Sequence, residues 1–221
     1  MININNRLKK LGDMILEGNS QGIIDVGCDH ALLDIYLYEK NNTLKLVASD
    51  LRKDPLIKAK ENIEKYSFSN NIKIKLSYGI DNLEDYIDTV VISGMGTETI
   101  IEILDKGKEY LSQVNRLVLS SNNKYYDLRK YVTGIGYIIN KEEIIYEDGK
   151  YYTTIDFVKG NKEYKYEELY FGPYLLNNKN KEFIDYYTFI KSKKEQVLDK
   201  IPDNEDKEKL IKEIDMIASK L

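Results

Sequence analysis

A single cysteine, Cys28, and a single histidine, His30, are all that this 221-residue chain offers of the two residue types that build disulfides and zinc sites. One cysteine excludes an internal disulfide, and with one histidine it leaves a tetrahedral zinc shell short of ligands, so no metal is expected. Long apolar runs are missing too. Nothing approaches the ~20 residues that a membrane-spanning helix needs. The opening, MININNRLKKLGDMI, is polar and then amphipathic, unlike a signal peptide. A cytoplasmic protein without membrane association is the expectation. An excess of basic charge is the third absence, since 33 Lys and Arg face 37 Asp and Glu for a net charge of −4. A surface that holds nucleic acid should be basic, so any such footprint here must be a local patch. Arg7, Lys9 and Lys10 near the start, and Lys191, Lys193 and Lys194 later, are the candidates. Taken alone, each of them reads better as part of a solvated helix face.

What is present suffices for a core. Hydrophobic residues make up 42% and charged residues 32%, which fits one ordinary domain plus an appendage. Through residue 160 the chain alternates strand-like and helix-like segments. Ile23–Val26, Lys45–Asp50, Ile72–Ser77, Thr89–Ser93 and Arg116–Ser121 read as strands. Helical patterns follow at about Ala31–Glu39, from Pro55 to about Tyr66, and over Thr97–Leu104, with Pro55 suited to a first turn. Such a βαβα series predicts a parallel sheet with right-handed crossovers. Ile138–Tyr146 and Lys150–Val158 then flank Asp148–Gly149, a strong hairpin signal. Five parallel strands followed by an antiparallel hairpin is the α/β layout of the class I, Rossmann-like methyltransferase sheet.

Beyond residue 160 the pattern becomes purely helical. Tyr174, Leu175, Leu176, Phe183, Tyr187, Ile190, Val197 and Leu198 recur at helical spacing, and Pro202–Asn204 break the run and can cap the next helix. Leu210, Ile214, Ile217 and Leu221 then form a narrow seam. The expectation is a methyltransferase domain over 1–160 and a coiled-coil-like helical hairpin over 161–221, packed on that domain or on a partner.

The residues with chemistry cluster at strand ends. Asp25–Leu32, DVGCDHAL, is a strand, a glycine turn and a helix start, an order that aims backbone amides and a positive dipole end at a ligand. Only Gly27 is present of a G-x-G-x-x-G pattern, which argues against a dinucleotide. Asp50 follows Gly27 at the end of the second strand, where a carboxylate can accept both hydroxyls of a ribose, or else cap the following turn. Gly94, Met95 and Gly96 end the fourth strand, where ligands approach an open sheet.

In order and spacing, DVGCDHALLDIYL, ASDLRKDPLIKAKENI, DTVVISGMGTETIIEIL, NRLVLSSN, EDGKYYTTIDFVKG and FGPYLL resemble the bacterial tRNA (adenine-22-N1)-methyltransferase family over nearly the whole chain. The resemblance implies S-adenosyl-L-methionine as cofactor, tRNA as partner, and methylation of N1 of adenine 22. N1 lies on the Watson–Crick edge, so the base must be unpaired or flipped. Neutral adenine already carries a lone pair there, so positioning should outweigh base catalysis.

The resemblance further implies a cofactor site of Asp25, Gly27, Cys28, His30, Asp50, Leu51, Tyr78, Gly79, Ile80, Gly94, Met95 and Gly96. Asp29 is the candidate catalytic acid, accepting from the adenine amine; capping the next helix and touching the cofactor are its alternatives. Arg7, Lys10, Asn122, Lys191, Lys193 and Lys194 are the candidate substrate-binding residues. Four sites depart from the family pattern. Tyr78 stands where an aspartate is usual, Thr97 for a glycine, Asp34 for a proline, and Ser120–Ser121 for Gln-Pro. A methyltransferase on another RNA or small molecule, and a non-catalytic RNA-binding relative, are therefore the alternative readings.

Overall fold

The apolar strand runs do form one sheet in the computed structural model, which describes residues 2–198, 200 and 202–221. Its strands are β1 (Gly22–Val26), β2 (Lys45–Asp50), β3 (Ile72–Leu76), β4 (Thr89–Met95), β5 (Arg116–Ser121), β6 (Tyr137–Glu147) and β7 (Lys150–Lys159). They lie in the order β3-β2-β1-β4-β5-β7-β6. The first five are mutually parallel, and β7 runs antiparallel to both β5 and β6. Asp148 and Gly149 carry φ values of 50° and 77°. That is the left-handed backbone a two-residue hairpin turn requires.

Three helices cover one face: α1 (Asn6–Leu16), α2 (Leu32–Lys40) and α3 (Lys53–Lys65). Their apolar side chains meet Ile23, Ala48, Val91 and Val118 of the central strands. The opposite face packs Ile24, Val47, Val90 and Ile92 against α4 (Thr97–Lys106) and α5 (Tyr125–Gly134). Successive strand residues thus feed opposite cores, which is why the inner strands read as unbroken apolar runs. β3 is an edge strand, with Leu76 exposed at its end.

α1 is anchored from below. Arg116, on β5, pairs with Asp156 at 2.7 Å and donates to the carbonyls of Met14 and Ile15 at 2.6 and 2.7 Å. The last carbonyls of α1 thereby gain charged donors in a buried setting. This fixes the opposite end of the helix, which carries Arg7, over the carboxyl ends of the strands.

The tail differs from a plain two-helix hairpin. It folds as α6 (Tyr166–Phe171), α7 (Pro173–Asn178), α8 (Lys181–Leu198) and α9 (Glu205–Ala218). Gly172 and Pro173 interrupt the first helical pattern, because proline removes a donor and favours a new first turn. Asn204 caps α9 as expected, accepting from the amides of Asp206 and Lys207 at 3.1 Å. Phe171, Leu175, Phe183, Tyr187 and Ile217 bury against Ile144 of β6, so the tail and the hairpin share one apolar cluster. Beneath it, Arg129 of α5 pairs with Glu142 of β6 at 2.6 Å and donates to the carbonyls of Leu169 and Tyr170.

Candidate active site

The crossover between β1 and β4 leaves a crevice at the carboxyl ends of the strands, where open α/β sheets take their ligands. It holds a cavity of about 600 Å³. Asp25, Gly27, Cys28, Asp29, His30, Asp50, Leu51, Tyr78, Gly79, Gly94 and Met95 all border it, together with Arg7 from α1. Ile80, Gly96 and Asn122 do not. Ile80 is fully buried in the cluster under α4, one residue behind the wall. Ser77, Ser93, Thr99 and Ile103 line the cavity without having been expected there; their types carry no motif signal, and only the topology brings them in.

The glycine turn works differently from the simplest expectation. The amides of Gly27 and Cys28 both donate to the carbonyl of Ser49, at 2.8 and 2.9 Å, so they tie the turn to β2 and do not face a ligand. Gly27 has φ 78°, and a Cβ there would lie 2.3 Å from the Met95 methyl. The left-handed backbone is what favours glycine here, since the Met95 methyl is the free end of a flexible side chain.

Asp29 has φ 51° and Ala31 φ 54°, both left-handed. Ala31 is the residue that opens α2, and no side chain caps that helix. Asp29 is therefore not a capping residue. Its side chain stays 66% exposed on the rim, with one carboxylate oxygen 3.5 Å from His30 Nε2. The His30 carbonyl accepts from Asn62 of α3 at 3.0 Å, which holds the backbone of the turn.

Asp50 caps the turn after β2 and also faces the cavity. Its Oδ1 accepts the Arg52 amide at 2.9 Å, while the group still borders the cavity. Burial, with Asp34, Asp25 and Asp50 nearby, pushes the Cys28 thiol far up. It stays a neutral, packed thiol and no nucleophile. Asp25 is buried too, and burial pushes its carboxyl up to about 7, against a lowering contact with Asp34 and with a further raise from Asp50.

Tyr78 lies along the wall, its hydroxyl donating to Glu102 at 2.9 Å and accepting from Lys106 at 3.2 Å. Lys106 also sits 4.4 Å from the ring centre. The ring is thus a fixed flat surface held from α4.

The remaining basic candidates are scattered. Arg7 donates to Ser93 Oγ at 3.3 Å and stacks 5.0 Å from the Tyr152 ring, at the mouth of the cavity. Lys10 pairs with Glu143 away from it. Lys191 and Lys194 pair with Glu195 and Glu213, and Lys193 lies 5.6 Å over Phe189. These three belong to α8 and do not reach the cavity.

Residues 23–220 match the TrmK family, tRNA (adenine(22)-N(1))-methyltransferase. The Bacillus subtilis tRNA (adenine(22)-N(1))-methyltransferase is 27% identical over 194 residues, 85% of this chain and 81% of that protein. Streptococcus pneumoniae Sp1610, solved in complex with S-adenosyl-L-methionine, is 29% identical with a TM-score of 0.89, over 99% of this chain and all of that one. M. capricolum TrmK, solved with its cofactor product S-adenosyl-homocysteine, is 32% identical with a TM-score of 0.85, over 98% and 96% of the two chains. Sheet, cavity and sequence thus agree, and the chain belongs to the tRNA (adenine(22)-N(1))-methyltransferase family.

Proposed function

We infer that this protein transfers the methyl group of S-adenosylmethionine to N1 of adenine 22 in tRNA. The observation that carries the reading is the cavity itself. It combines a glycine turn of left-handed backbone, a ribose-type acid at the end of β2 and an exposed, uncapping acid on the rim. The residues fit the cofactor: Asp50 has one oxygen committed to Arg52 and one left for ribose hydroxyls, and the Tyr78 ring offers a face to the adenine. When bound, the cofactor supplies an electrophilic methyl on a sulfonium.

The chain's own groups then position the acceptor. Asp29 accepts from the exocyclic amine of adenine, which turns N1 toward the cavity and offsets the positive charge that N1 acquires. Arg7 holds a phosphate at the mouth, braced by Ser93 and Tyr152. In this reading residues 1–160 bind cofactor and base, residues 161–221 contact the tRNA body through Lys191, Lys193 and Lys194, and the protein acts in the cytoplasm.

The test is transfer of labelled methyl to unmodified tRNA, followed by reverse transcription. A stop at position 22 is expected. Asp29→Asn should lower kcat by about 10²-fold or more, with cofactor affinity within about twofold of the parent. Label without a stop at 22 points to another substrate, and tight tRNA binding without label points to a binding protein.

A further inference from the structure

Among the described residues, Asp34 has both carboxyl oxygens buried without an ordinary partner. It sits in the first turn of α2 with 0% exposure. Its neighbours are its own backbone amide and the carboxyl of Asp25, itself only 5% exposed. Two buried carboxylates cannot face each other with both charges intact, because neither solvent nor a cation screens them. A carboxylic acid facing a carboxylate, by contrast, makes a strong hydrogen bond, with the proton lying between the two groups.

Among the described residues, the surroundings offer no other solution. On β1 and β2 the charged groups are Asp25 and Asp50, and Asp50 is engaged by Arg52. The turn adds Asp29 and His30, which face each other on the rim. On α1, Asp13 accepts from Tyr36 of α2, and Arg7 is held by Ser93. From α3 comes the neutral Asn62, spent on the His30 carbonyl, and from β3 comes Lys75, spent on the carbonyls of Asp81 and Asn82. The one favourable field at Asp34 is the positive end of α2, which supports a single negative charge on the pair.

Asp25 borders the cavity while Asp34 lies behind it. We propose that Asp34 is a positioning residue for the cofactor, sharing one proton with Asp25 in the free protein, and that S-adenosylmethionine binding expels that proton. The inference rests on the cofactor reading above. S-adenosylmethionine carries a sulfonium and an ammonium, and a cation placed beside Asp25 favours the fully ionised pair. The O–H bond of the acid breaks, the proton goes to the buffer, and the second negative charge is left facing the ligand. Burial holds both carboxyls above their ordinary range, which places this exchange near neutral pH.

The experiment is calorimetric titration of the full-length protein with S-adenosylmethionine, in buffers of different ionisation enthalpy, between about pH 6 and pH 8. Release approaching one proton per cofactor is expected in the lower part of that range, with affinity rising by up to about tenfold per pH unit. In Asp34→Asn the new amide donates to Asp25 and leaves it ionised, so proton release vanishes and affinity flattens with pH. Binding of the parent protein without buffer dependence would overturn the inference, whatever the variant does. Proton release that persists unchanged in Asp34→Asn also overturns it, assigning the proton to a group outside the pair. No binding at all would instead overturn the cofactor reading.

Discussion

At the scale of single residues, the four departures from the family pattern are not four independent defects. Thr97 and Ser121 are both buried, and their hydroxyls bond to each other at 2.8 Å. Thr97 also donates to the Asn123 carbonyl at 2.7 Å, so one departure supplies the partner that the other needs. Ser120 accepts from Thr154 at 3.2 Å. Tyr78 is braced by Glu102 and Lys106. Only Asp34 lacks an ordinary partner, and its pairing with Asp25 has a consequence for stability. The pair holds its shared proton to higher pH folded than unfolded, where 3.8 is the ordinary value of each carboxyl. Their contribution is therefore complete below that value and is lost as pH rises through the folded range, about 7 for Asp25. The cofactor-free protein should weaken from about pH 5 to pH 8 relative to Asp34→Asn, by up to about 1.4 kcal/mol per unit for the shared proton. Urea denaturation of the two proteins across that range reads the difference directly. Parallel curves would show that the pair does not hold a proton.

At the scale of elements, the sheet was legible because its signals are local. The bounds of β2 and β5 coincide with the apolar runs that end on Asp50 and Ser121, and the hairpin follows from Asp148–Gly149. The glycine turn, Asp50 and Gly94–Met95 were legible for the same reason. What was not legible is long-range and polar. Arg116 reaching the end of α1, and Arg129 reaching α6, join residues 101 and 40 positions apart in sequence with no shared period. Asp34 likewise reads as one polar residue on an apolar helix until β1 brings Asp25 against it. The Arg129–Glu142 pair is where this matters most, since it is fully buried and Glu142 also accepts the Tyr174 amide at 3.2 Å. Arg129→Ala leaves a buried carboxylate without its cation and two carbonyls without donors. The loss should be about 3–5 kcal/mol, read as a lower urea midpoint. The joint replacement Arg129→Met with Glu142→Leu should recover a large part of that loss, because it removes both charges. No recovery would mean that the hydrogen bonds to Leu169, Tyr170 and Tyr174 matter more than the charge.

At the scale of the whole molecule, a chain of net charge −4 has to hold a polyanion, and the proposed function gives its tail a part in that. Deleting residues 161–221 is a poor probe of that role. Phe171, Leu175, Phe183 and Ile217 complete the apolar cluster on Ile144, so the deletion would strip the hairpin of its cover. Charge removal is cleaner. Lys191 and Lys194 make partly exposed ion pairs and Lys193 rests on the exposed Phe189, contacts that contribute little to stability. Replacing all three by alanine should leave the unfolding midpoint and S-adenosylmethionine affinity nearly unchanged. If the three lysines face phosphates, tRNA affinity should fall about tenfold or more, and the slope of log affinity against log salt should flatten by up to about three. Arg7→Ala should instead weaken tRNA binding and methyl transfer together, since Arg7 stands at the cavity mouth between Ser93 and Tyr152. A triple variant with unchanged tRNA affinity and salt slope would remove α8 from the RNA surface and leave the tail the single role of closing the core over the hairpin.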